Sequence, residues 1–138
     1  MVIKKFKSEW YFTDKKPVQG GQTNHPEPQP VLTRLDTLLD REGELTITSH
    51  CAEGETLKSL SFRCQDGFAL VRLYHRDSDD DYVASLHPDV GAWPIEEKQI
   101  DIFGDLWDGS DVTKDKDLIR TIVNEFLATG NVSERYLE

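Results

Sequence analysis

With 138 residues, 37% of them hydrophobic and 30% charged, the chain supports a single domain spanning residues 1–138 around one core. A net charge of −10 argues against nucleic acid or an anionic membrane as partner, and no apolar run approaches the roughly 18 residues that a membrane-spanning helix needs. The charge is also local: between Asp77 and Asp117, thirteen carboxylates stand against Lys98, Lys114 and Lys116, which accounts for the whole net charge and leaves the remainder nearly balanced.

In chain order, Val2 to Phe12 places Val2, Phe6, Trp10 and Phe12 at even spacing and reads as an edge or near-edge strand. Thr13 to Pro30, with Gly20-Gly21 and four prolines, reads as an irregular loop. Pro30 suits a first helical turn, and Val31, Leu32, Leu35, Leu38 and Leu39 then recur at helical spacing until Gly43, a leucine stripe that is core packing. Leu45 to His50 alternates like a strand.

Asp66-Gly67 is the strongest local signal, the preferred dipeptide of a two-residue hairpin. It predicts the apolar cross-strand pairs Cys64 with Ala69, Phe62 with Val71 and Leu60 with Leu73. A slip of one residue would move all of them to the other face. The opposite face mixes Phe68, Leu70 and Tyr74 with Ser61, Arg63 and Arg72, and a helix is expected over part of it. A charged turn at residues 77–81 and a strand from Tyr82 to Leu86 follow. Residues 89–112 read as irregular apart from a short strand near Ile100 to Phe103. Leu118, Ile119, Ile122, Val123, Phe126 and Leu127 form a second helical stripe, started by Thr113 or Asp115 and stopped by Gly130, and the tail to Glu138 either adds an edge strand or frays. The pattern predicts an α+β fold: a mostly antiparallel sheet of about five or six strands with two helices packed on one face.

Motifs for catalysis are lacking. The chain has no nucleophile elbow, Walker loop or dinucleotide fingerprint, and His25, His50, His75 and His87 have no ligand spacing. His75 and His87 are expected at the surface beside the acidic turn, more readily protonated than free histidine. His50, Cys51 and Cys64 lack the spacing of a zinc site. Cys51 and Cys64 fall at different heights of the hairpin and read as reduced, mostly buried thiols. Calcium is the competing use of the acidic tract, because Asp77, Asp79 and Asp81 alternate like the opening ligands of a calcium loop. Tyr82 then stands where the sharp turn needs glycine, and Pro88 where a bidentate glutamate belongs. No cofactor, no metal and no catalytic residue are therefore expected.

The tract as a docking surface competes with the blander reading of a solvated face that maintains solubility. Trp93 and Trp107 favour docking, since tryptophan inside a charged loop either anchors the domain's own packing or serves as a partner hot spot. One residue is expected in each role.

The stretch Ile119-Arg-Thr-Ile-Val-Asn-Glu-Phe-Leu-Ala-Thr-Gly130, with the Trp10-Tyr11 strand and the leucine helix, resembles small immunity proteins of bacterial polymorphic-toxin and contact-dependent growth inhibition systems. The resemblance implies a cytoplasmic, non-enzymatic protein that binds one toxin domain and neutralises it by occlusion. A nuclease toxin, with a basic cleft shaped for phosphate, would be matched by an acidic inhibitor. On that reading Asp79, Asp80, Asp81, Asp105, Asp108 and Asp111 steer association, and Trp93 or Trp107 anchors the complex. Lys4, Lys5, Lys7 and Glu9 interrupt the place where a signal peptide would need an apolar core, which agrees with a cytoplasmic address. The alternatives are a calcium-binding module or an adaptor using Arg63, Phe68, Arg72 and Tyr74.

Overall fold

The computed structural model describes residues 4–13, 19–24, 27–51, 57–76, 81–86, 99–108 and 111–137. Its α+β architecture is a mostly antiparallel sheet with two helices against one face. The strands are β1 (Lys4–Phe12), β2 (Gln19–Asn24), β3 (Gly43–Cys51), β4 (Leu57–Gln65), β5 (Phe68–Arg76), β6 (Asp81–Ser85), β7 (Gln99–Ile102), β8 (Asp105–Asp108) and β9 (Val112–Thr113). The helices are α1 (Pro28–Leu39) and α2 (Lys116–Thr129). The main sheet runs β2-β1-β3-β4-β5-β6, and β9 pairs with the start of β5 while β6 pairs with its end. A separate two-stranded ribbon joins β7 to β8.

The central hairpin has the register its turn dictates: Cys64 faces Ala69, Phe62 faces Val71 and Leu60 faces Leu73. Asp66 and Gly67 both adopt positive φ, 54° and 81°, as a two-residue hairpin turn of this kind requires. Because side chains alternate across a strand, Leu60, Phe62, Val71 and Leu73 share the inner face with Leu45 and Ile47 of β3. Val31, Leu35, Leu38 and Leu39 of α1 and Ile119, Ile122, Val123 and Phe126 of α2 close over them. Phe126 meets Phe6 edge to face with ring centroids 5.8 Å apart.

Helix boundaries follow from terminal chemistry. Asp115 caps α2 by accepting a hydrogen bond from the Leu118 N–H at 3.1 Å, and Asp117 places a negative charge in the first turn. Gly130 ends the helix in the left-handed conformation, φ 75°, with its N–H donating to the Phe126 carbonyl at 2.7 Å. Helix α1 begins two residues before Pro30, with Pro28 in the first turn, where a missing N–H has no intrahelical partner to lose.

Several elements differ from expectation. Part of the loop expected between Thr13 and Pro30 is the strand β2, which makes β1 the second strand of the sheet. Glycine is required there by the neighbouring strand: a Cβ on Gly21 would lie 2.7 Å from the Trp10 ring, and one on Gly20 2.5 Å from the Trp10 carbonyl oxygen. Residues 89–112, expected to hold one short strand, contain β7, β8 and the first residue of β9. Among the described residues, no helix lies over the outer face of the central hairpin. The β7–β8 ribbon covers part of it instead, through a second apolar cluster of Leu70, Ile100, Ile102 and Val112 with Phe68, Phe103 and Trp107. The tail contributes one bridge, Leu86 to Leu137.

His75, expected to be exposed and readily protonated, is 8% exposed. It follows Ala69, Val71 and Leu73 at even spacing onto the inner face, where burial first and the Lys58 charge second lower its pKa below 6.5. His87 lies outside the described residues. Cys64 is buried and makes no disulfide, and burial pushes its thiol up to about 12. Among the described residues, no helix is long and apolar enough to cross a membrane.

Candidate protein-binding ribbon

The ribbon is built by alternation on two short strands. Ile100 and Ile102 turn towards the sheet and are buried, whereas Gln99 and Asp101 are exposed. Opposite them, Trp107 pairs with Ile100 on the inner side, and Leu106 pairs with Asp101 on the outer side. The outer side therefore presents Leu106, 64% exposed, beside the Asp101 carboxylate, while Asp105, opposite Ile102, is exposed at the end of the strand pair.

The connecting turn is set by tertiary contacts. Phe103 and Gly104 both have positive φ, 52° and 86°, a conformation that costs a bulky residue such as phenylalanine about 1–3 kcal/mol. Offsetting it, the Phe103 N–H donates to Gln65 Oε1 at 2.7 Å, and the Arg63 guanidinium lies 5.8 Å from the Phe103 ring centroid. Gly104 N–H donates to Asp101 Oδ1 at 2.8 Å, which closes the turn.

Electrostatically, the cations near the sheet and helices are largely engaged with local partners. Arg63 pairs with Glu44, Lys116 with Asp40 at 3.0 Å, and Arg120 with Asp36 at 2.6 Å. Among the described ion pairs, none involves Asp101 or Asp105. Among the described residues, the ribbon thus sets two carboxylates without an ion pair, Asp101 across from Leu106 and Asp105 next to it in the chain.

The expected site residues divide as follows. Asp79, Asp80 and Trp93 lie outside the described residues. The backbone of Asp81 pairs with Arg76 at the start of β6, and that of Asp108 pairs with Gln99 at the end of β8. Asp105 is exposed on the ribbon, and Asp111 is half-buried at the entry to β9, where it interacts within the fold. Trp107 takes the packing role of the two open to it. Its ring sits in the second apolar cluster with the Arg72 guanidinium 4.2 Å from its centroid, and its Nε1–H is enclosed without a hydrogen-bond partner. Further along the tract, Asp115 and Asp117 serve the start of α2.

Leu106 was not anticipated, and its period-two placement opposite two buried isoleucines is the signal that would have found it. Of the adaptor set, Phe68 belongs to the second cluster, Arg72 stacks on Trp107 and Arg63 pairs with Glu44, which leaves Tyr74 exposed. Among the described residues, no group of three or more His, Cys, Asp or Glu side chains is arranged to hold a metal ion.

Fold and ribbon together define an α+β domain of helices on an antiparallel sheet, with an appended acidic hairpin. The chain belongs to a family of unknown function, DUF6911, whose model matches residues 8–136. It is similar in fold to a hypothetical protein from Neisseria gonorrhoeae seen in a crystal structure, with a TM-score of 0.73 and 15% identity over 94% of this chain and 91% of that one. No curated protein matches the sequence.

Proposed function

We propose that the protein is a cytoplasmic, stoichiometric inhibitor of the immunity-protein kind, which docks a basic toxin domain, such as a nuclease, through the β7–β8 ribbon. The observation that carries this reading is exposed Leu106 set across from Asp101 and next to Asp105, two carboxylates outside the described ion pairs. Exposed carboxylates accelerate encounter with a positive cleft, and an apolar side chain desolvated on contact slows release. Occupancy alone does the work, without turnover. The adaptor alternative is less well supported, because three of its four side chains are engaged in the fold's own contacts.

The test compares the wild-type chain with Asp101→Lys/Asp105→Lys and with Leu106→Asp as bait in an extract of the host. A basic protein should be retained in a 1:1 complex by the wild type, and its purified activity should fall to nothing at one equivalent. The double lysine variant should associate about tenfold or more slowly at low salt, and Leu106→Asp should dissociate faster. A partner held equally well by all three baits, or one whose activity survives saturation, overturns the proposal.

A further inference from the structure

Among the described residues, the large apolar side chains left exposed are Tyr11, Tyr74, Val83 and Leu106, and all of them lie on the helix-free side of the sheet. Alternation puts them there. Tyr11 falls between Trp10 and Phe12, Tyr74 follows Leu73 and Val83 precedes Ala84, and Trp10, Phe12, Leu73 and Ala84 all pack with the helix-covered core. Leu106 turns outward from the ribbon, which itself sits on that side. Tyr74 and Val83, 38% and 43% exposed, are direct cross-strand partners, with Cα atoms about 5 Å apart. The next strands over carry hydroxyls on this face: Thr46 opposes Ser61, Thr48 opposes Ser59, and Thr48 and Ser59 share a hydrogen bond at 3.1 Å. β3 and β4 therefore present a solvated face, and the Tyr74–Val83 pair departs from it.

The ribbon comes within reach of this pair. Arg72 lies two residues before Tyr74 on the same face of β5, about 7 Å along the strand. Its guanidinium stands 4.2 Å from the ring centroid of Trp107, the chain neighbour of Leu106. Leu106, Tyr74 and Val83 are thus parts of one surface. Size then indicates how that surface is used. A stable protein complex buries about 800 Å² on each partner, a patch about 30 Å across formed by roughly 20–30 residues. The ribbon strands have four residues each, and Ile100, Ile102 and Trp107 turn inward. A partner held through the ribbon must rest on neighbouring surface as well, and the side chains beside Arg72 offer the apolar area whose burial is favourable.

We propose that the protein docked by the ribbon also seats an apolar strip on Tyr74 and Val83. Its docking surface then carries basic groups for Asp101 and Asp105 and, beside them, aliphatic or aromatic side chains that cover β5 and β6. This inference rests on the reading of the ribbon given under the proposed function. Tyr74 is the anchor, because an aromatic ring buries a large area and tyrosine is enriched among the residues that dominate binding energy.

The test places the photo-cross-linker p-benzoylphenylalanine singly at Val83, at Leu106 and, on the helix side, at exposed Asn124 of the full chain, and irradiates each in an extract of the host. Positions 83 and 106 should cross-link to the same protein, and position 124 should not. Tyr74→Thr/Val83→Thr, whose β-branched replacements suit a strand, should bind that protein about tenfold or more weakly while melting near the wild-type temperature. Cross-linking at 106 but not at 83, or undiminished binding by the double threonine variant, overturns this inference and leaves the ribbon reading standing. Cross-linking at 83 but not at 106 overturns the ribbon reading and the shared footprint with it. Absence of a cross-link at both positions overturns both.

Discussion

Replacing Ile102 with alanine should loosen the ribbon while leaving the helix-covered core folded. Ile102 is fully buried in the second apolar cluster, and the change removes three carbon groups from it. At about 0.8 kcal/mol per group plus a cavity term, the docked ribbon loses about 2–4 kcal/mol. A two-stranded hairpin of four-residue strands is marginal by itself, so its attachment is the weaker link. Once the ribbon detaches, further loss is impossible, and the fall in global stability is capped at the docking energy. Native-state hydrogen exchange should therefore show amides of residues 99–108 exchanging about 30- to 1,000-fold faster, with a smaller change in β3 and β4. Binding of the partner proposed above should weaken in parallel. Equal loss of protection in the ribbon and in β3 and β4 would refute the picture of a separately docked unit.

Other consequences are simpler to measure. Asp115→Ala removes the α2 cap and should cost about 1 kcal/mol in denaturant unfolding, whereas Asp115→Asn should retain most of that stability. His75 has a folded pKa below 6.5, so between that value and 6.5 the unfolded chain holds a proton that the native chain lacks. Stability should fall as pH drops through this window, and a His75→Gln variant should lose that part of the slope. Cys64 titrates at about 12 when folded against 9.0 unfolded, so its contribution is intact below pH 9 and should decline by about 4 kcal/mol as pH rises to about 12. In a Cys51→Ser background, a thiol reagent at pH 8 should label Cys64 only after unfolding.

What the sequence revealed was where local chemistry and hydrophobic period agree. The Asp66-Gly67 turn and its apolar pairs specify one register, and the Asp115 and Gly130 caps bracket the stripe of α2. What stayed hidden depends on distant neighbours. β2 is a strand because Gly20 and Gly21 lie against Trp10 and Tyr11, a contact that the loop-like composition of that segment conceals. The ribbon turns at Phe103, a residue that local preference would not place at positive φ, because Gln65 and the second cluster hold it there. His75 is a different case. Its inward placement was available from the even spacing of Ala69, Val71, Leu73 and His75, but the neighbouring acidic turn suggested exposure. At the candidate site, Asp105 is exposed, and Leu106 comes to notice only once β8 is set against the alternation of Ile100 and Ile102 in β7, since Asp105-Leu106-Trp107 is too short to show a period by itself.

The two apolar clusters sit on opposite sides of the same strands, with β4 and β5 as the wall between them. A new residue at position 101, 105 or 106 therefore leaves the packing beneath the helices untouched. Under the proposed function, recognition can diversify on an unchanging chassis, so a lineage facing an altered partner can rewrite one short hairpin without having to solve the folding problem again.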